Sequence, residues 1–266
     1  LQHTAATKLN GVIIITGLLL VILFLYGTVI GSFVNVLIYR VPRGMAVSRG
    51  RSVCTYCSHT LSVIDLVPLF SYIFLKGRCR YCGAKIPIRY SIVELLNGLF
   101  YMAVALKFGF SLLALGWFIA VPVLIAVAFI DADHKIIPDR FPAALAVAGA
   151  VMILSGLGPD LLSRIIGVFS VSIPLFLIGM VSGGRAMGGG DVKLMAAAGL
   201  CLGWEMTVAA LFIGAFAGSI VSIVLMAAGK ITRKAQVPFG PYLSLGIVTS
   251  ALAGEQLLSL YLSLLK

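Results

Sequence analysis

Two short stretches place acidic residues where they could do chemistry. Asp131, Asp133 and Asp139 lie in FIDADHKIIPD, and Asp191 lies in MGGGDVKL. Asp131 follows an unbroken apolar run, which puts it at or just below a membrane surface if that run crosses lipid. An ionisable group there is costly unless it faces a bundle interior or water, so it is a functional candidate by default. Pro138 ends or starts a helix beside it. Gly188, Gly189 and Gly190 clear side chains from the approach to Asp191 and admit another backbone, for which a substrate is the expected visitor. Two carboxylates brought together share a proton, so that one acts as base on a water and the other as acid toward a carbonyl. They titrate as a pair, and amide hydrolysis by aspartic proteases works this way. His59 and His134 stand alone, and no H-E-x-x-H occurs. For Asp133 and Asp139 interfacial solvation or helix capping is the plainer expectation. For Asp131 and Asp191 the plainer alternative is an ion pair with Lys135 or Lys193.

Cysteine supplies the second pattern. Cys54-Thr-Tyr-Cys57 and Cys79-Arg-Tyr-Cys82 form two C-x₂-C pairs at the spacing of a four-thiolate zinc site. Four thiolates leave no open coordination position, so the metal is expected to be structural and to fold a loop too small to build its own core. Neighbouring Arg49, Arg51, Arg78 and Arg80 offset the thiolate charge. The fifth cysteine, Cys201, reads as a small buried hydrophobe.

The elements that must position these groups are membrane helices. Of 266 residues 61% are hydrophobic and 11% charged, with Lys and Arg outnumbering Asp and Glu by 20 to 9. A soluble domain carries about 25% charged residues, which excludes a disordered chain, a coiled coil or an ordinary soluble enzyme. The cation excess reads first as a topology signal, and nucleic acid is not an expected partner. Apolar stretches mark eight spans: 11–36, 91–107, 111–130, 141–157, 164–181, 192–203, 206–229 and 242–264. The sixth is short for the roughly 20 residues a span needs. The first run is too long for a signal-peptide core and its cations follow it, so a retained span is expected. With the N-terminus outside, only Lys8, Lys107, Arg164 and Lys266 fall in outer segments; the other cations, Arg233 and Lys234 among them, fall inside. The expectation is an all-α polytopic membrane protein divided at 1–39, 40–90 and 91–266: first span, cytoplasmic zinc loop, and helical bundle with both acidic motifs at the cytoplasmic face.

At these residues the chain resembles the type IV prepilin peptidases, bifunctional leader peptidases and N-methyltransferases of bacterial pilus and type II secretion systems. GTVIGSFVNVLIYRVPRG at 27–44 resembles the family's opening helix and turn. The paired C-x₂-C and IPIRYSIVELLNG at 86–98 resemble its loop and re-entry. FIDADHKIIPD and the G-x-G-D motif at 188–191 resemble its protease motifs, and PFGPYLSLG at 238–246 is also similar. The resemblance implies a bacterial inner-membrane enzyme with Asp131 and Asp191 catalytic. It implies cleavage of a basic leader from prepilins or pseudopilins at the cytoplasmic face, then methylation of the new N-terminus with S-adenosylmethionine.

Methyl transfer needs a neutral amine, and Glu94, beside the cysteine loop, is the acid placed to take its proton. An ion pair with Arg89 or an interfacial cap is the plainer alternative. No glycine-rich nucleotide fingerprint is present. A transporter or channel would also put carboxylates at helix breaks, but near the midplane and in related halves of the chain.

Overall fold

The computed structural model describes residues 2–185, 187–232 and 236–264, with residues 2–14 given by their backbone alone. Of the cations in the topology argument, Arg233, Lys234 and Lys266 lie outside the described residues, as does the side chain of Lys8. The described residues are mainly helical: α1 Gln2–Arg40, α2 Phe70–Phe74, α3 Arg89–Phe108, α4 Leu112–His134, α5 Arg140–Leu154, α6 Leu161–Val181, α7 Gly189–Ala227 and α8 Gly240–Leu264. Six of these are long and apolar enough to cross a membrane, and α5 is a shorter apolar helix. The short α2 inside the loop was not expected.

The sixth and seventh spans of the sequence reading are joined in α7, which has 39 residues. A straight helix of that length would measure about 58 Å at ~1.5 Å per residue, roughly twice a hydrocarbon core of about 30 Å. Gly203 breaks it, with φ 73° and ψ 175°, a conformation open essentially to glycine alone. The neighbours of the two arms show a reversal. The first arm runs from Gly190, against Ile137, to Gly203, against Pro159 and Ser163. The second runs from Met206, against Gly254, back to Gly218, against Tyr242, close to where Gly240 meets Asp131. The arms are antiparallel, so the described residues make eight apolar passes.

Arg164 fastens this reversal. It is 1% exposed, and its guanidinium donates to the carbonyls of Leu200 and Cys201 at the end of the first arm and to those of Leu157 and Pro159 before α6. The last carbonyls of a helix have no partner within it, and a planar five-donor group meets several at once.

The chain divides into two compact units, residues 1–40 with 44–109, and residues 41–43 with 110–266. The sequence boundaries followed polarity, whereas these follow packing, and they place α3 with α1. A methyl on Gly31 would come within 2.7 Å of the Glu94 Cα, and one on Gly27 within 2.8 Å of the Gly98 Cα. The helices therefore meet backbone to backbone, as small residues permit in membranes, and Asn97 Nδ2 donates to Gly27 O at 2.6 Å across the seam. Between them the loop is less uniformly polar than its ends suggest: Val63, Ile64, Ile73 and Phe74 are exposed. In the second unit α7 packs on α5, α6 and α8, while α4 is the most buried of the long helices and encloses Trp117, Leu124 and Ile130.

Candidate functional site

In the second unit, α4 ends where Lys135 takes the left-handed conformation, φ 55° and ψ 38°, its N–H donating to the Asp131 carbonyl. Pro138 follows, and α5 starts at Arg140. Asp131 thus sits in the last turn of α4, 6% exposed, and its Oδ2 accepts the N–H of Gly240 at 2.7 Å. Gly240 is the first residue of α8, so the carboxylate meets one of the orphan donors that open a helix.

Asp191 occupies the same kind of position at the start of α7. Gly188 precedes the helix in extended conformation, and its N–H donates to Asp191 Oδ2 at 3.2 Å. Two carboxylates from motifs sixty residues apart therefore each stand at a helix N-terminus of the same unit. Asp191 is half-buried. The neighbouring Lys193 bonds Asp139 Oδ1 at 2.7 Å, which ties the starts of α5 and α7 together. Asp139 makes no capping hydrogen bond to α5; it and Asp133 are exposed.

The three glycines differ from one another. A methyl on Gly190 would come within 2.7 Å of the Ile137 Cβ, whereas Gly189 has open space around it. The close visitor at Gly190 is the chain's own Ile137 segment, so the expectation that all three face a substrate is corrected there. Gly240 was read only as part of a similar stretch, with no role. The signal was the Gly-Pro helix start in PFGPYLSLG, but nothing local says which carboxylate that helix meets.

In the first unit the two cysteine turns are built alike. Cys54 O accepts from Ser58 N and Cys79 O from Gly83 N, while Cys54 N donates to His59 O and Cys79 N to Ala84 O. An isolated β-bridge closes each turn, Val53 with Thr60 and Arg78 with Lys85. The four sulfurs all lie within 4.8 Å of one another, and Cys54 Sγ is 3.9 Å from Cys82 Sγ. A tetrahedron with Zn–S of about 2.3 Å has edges near 3.8 Å, so the donor set fits zinc. Cys201 lies apart, buried against the Leu145 carbonyl.

Asp65, not singled out from the sequence, braces these turns. Its side chain is 3% exposed and accepts from Ser62 N and Oγ, Arg80 Nε and Tyr81 OH. Burial works against its charge, but the Ser62, Arg80 and Tyr81 donors outweigh burial and hold the carboxyl well below the usual carboxylate range. Arg40 braces the other edge by donating to the carbonyls of Ala46, Val47, Arg49, Gly50 and Arg51. Glu94, 8% exposed in the second turn of α3, accepts the N–H of Leu69 at 2.9 Å, so it fastens the loop to α3.

Six helices long and apolar enough to cross a membrane, and a cluster of four cysteine sulfurs on a loop, define a polytopic membrane protein with a candidate metal site. Residues 25–108 match the family model for the bacterial peptidase A24 N-terminal domain, and residues 118–223 match that of the type IV leader peptidase family. The chain belongs to the type IV leader peptidase family. It is 30% identical to a prepilin leader peptidase/N-methyltransferase of Bacillus subtilis (strain 168), over 92% of this chain and 99% of that one. It is 32% identical to the Aeromonas hydrophila protein of the same name, over 91% and 93%. A Burkholderia pseudomallei (strain K96243) protein, again of that name, is 33% identical over 87% and 84%. No solved structure matches the chain.

Proposed function

We propose that this chain is a bacterial inner-membrane aspartyl endopeptidase. It removes the basic leader of type IV prepilins or pseudopilins at the cytoplasmic face, then N-methylates the new N-terminal residue with S-adenosylmethionine. The observation that carries the reading is that Asp131 and Asp191, in one unit, each accept a backbone N–H at the N-terminus of a helix. A transporter is not favoured, because the acids lie at one end of the bundle and the chain's relatives are named as peptidases.

Asp131 and Asp191 share one proton. The ionised member takes a proton from water as the oxygen attacks the scissile carbonyl carbon, and the protonated member donates to the carbonyl oxygen. Collapse of the tetrahedral species returns a proton to the departing amine. Gly240 N–H and Gly188 N–H hold each carboxylate in place, so little reorientation is needed. Cys54, Cys57, Cys79 and Cys82 would hold a zinc ion, which would serve to fold the loop, since four thiolates leave no ligand position for chemistry. S-adenosylmethionine supplies a methyl group made electrophilic by its sulfonium.

Asp131→Asn and Asp191→Asn, tested singly on a prepilin substrate, should each lower cleavage by about 10³-fold or more. Wild-type cleavage by either variant removes that residue from the mechanism.

A further inference from the structure

The unit that contains α1 and α3 holds a cavity of about 550 Å³, within the span of roughly 300–1,000 Å³ typical of small-molecule sites. Its walls come from the two stretches that leader cleavage leaves without a task. Ser32, Asn35 and Arg40 project from GTVIGSFVNVLIYRVPRG, and Tyr90 and Glu94 from IPIRYSIVELLNG; Tyr56 of the first cysteine turn joins them. Polar groups on these walls are held in place. Asn35 Nδ2 donates to Tyr90 O at 3.0 Å, and Arg40 is fixed by its five carbonyl partners.

Glu94 is the chemically telling member. It lines the cavity while nearly buried, and its partners are Leu69 N–H and the Ser32 hydroxyl. A carboxylate offers about four acceptor positions, so two partners leave it able to accept more. A mostly buried acid on the wall of a nucleoside-sized cavity suits a cationic ligand, and aromatic neighbours suit a purine or a sulfonium.

We propose that this cavity is the S-adenosylmethionine site, with Glu94 receiving both the cationic end of the cofactor and the proton of the attacking amine. The proposal rests on the methyl-transfer reading above. The amine lone pair of the new N-terminus forms the N–C bond as the C–S bond breaks, and that bonding pair leaves on sulfur as a neutral thioether. Glu94 takes the proton the amine sheds, which leaves a secondary amine. Ser32 and Leu69 N–H keep the carboxylate aimed while this happens.

The test uses the full chain in detergent or nanodiscs, with radiolabelled S-adenosylmethionine and binding as the readout. Ultraviolet cross-linking to the wild type, followed by peptide mapping, should put label in residues 32–94, the stretch that supplies the cavity wall. Equilibrium binding should weaken about tenfold or more in Glu94→Gln and be lost in Val36→Trp, where an indole fills the cavity, with zinc content unchanged in both. Label confined to other peptides overturns the cavity assignment, whatever the variants do. So does unchanged binding by both variants when zinc is retained. A wild-type chain that binds no S-adenosylmethionine overturns the methyl-transfer reading itself, a result distinct from binding elsewhere.

Discussion

The backbone N–H of Gly240 donates to the Asp131 carboxylate at 2.7 Å, joining residues 109 positions apart. The start of α8 thereby rests on the candidate catalytic acid. A methyl on Gly240 would lie 2.9 Å from both Cβ and Oδ2 of Asp131, closer than real side chains approach. The carboxylate is positioned as much by α8 as by the helix that carries it.

Gly240→Ala should therefore push Asp131 aside and lower kcat/KM for leader cleavage by about 10²-fold, the usual effect of a shift near 1 Å. Methylation of a pre-cut peptide by the same variant serves as the comparison and should hold. Cleavage within twofold of wild type would show that Asp131 does not depend on this contact.

Metal removal should act on the loop. Elemental analysis should find one zinc per chain, and Cys57→Ser or Cys79→Ser should release it. Because a structural zinc contributes its binding energy to folding, amide exchange across residues 52–85 should rise in those variants and after chelation. Methyl transfer should fall at least as far as cleavage. Loss of cleavage alone, with methyl transfer to a pre-cut substrate intact, would contradict the loop's assigned place.

Arg164→Met should destabilise the bundle without touching either acidic motif. It leaves the carbonyls of Leu200, Cys201, Leu157 and Pro159 without their buried donor, a loss of about 3 kcal/mol or more. The melting temperature should drop by about 6 °C or more. Arg164→Lys should recover part of the loss, since an ammonium keeps the charge but not the fork. Equal stability in all three proteins would mean that water replaces the guanidinium.

Asp65 gives a pH-dependent term. Its folded pKa lies below its unfolded value, so its contribution is present above an unfolded pKa near 3.9 and fades as pH falls below that. At pH 7, amide exchange over residues 60–66 should be faster in Asp65→Asn than in wild type. The difference should narrow as the pH drops below about 4. A difference independent of pH would mean that shape, not charge, is what the aspartate supplies.

Much of this was legible in the residues. Apolar run length marks a membrane helix wherever it falls, so α3, α4, α5, α6 and α8 begin and end within a few residues of the expected positions, whereas α1 starts at Gln2, nine residues before the expected span, because its polar first turns continue the same helix. The cysteine spacing predicts a four-sulfur cluster because each C-x₂-C closes a turn locally. Asp131 and Asp191 stand out because carboxylates are scarce in a chain built for lipid. The sequence also marked Gly203 as the end of one span and Met206 as the start of the next. The conformation at Gly203 that turns the chain back, and the Arg164 guanidinium that fastens the turn, needed coordinates. Arg164 had read only as one of the few cations on the outer side.

Composition, spacing and charge are local properties, and they were enough for the class of protein, its helices, the thiolate cluster and the two acids. Which groups meet is a matter of long-range packing. Gly240 reaches Asp131, Ile137 fills the space at Gly190, Glu94 holds Leu69, and α3 sorts with α1. Each of these contacts is made by residues far apart in the chain, through close backbone approach or a single directed hydrogen bond. Neither leaves a periodic trace in sequence, so the folded chain alone decides them.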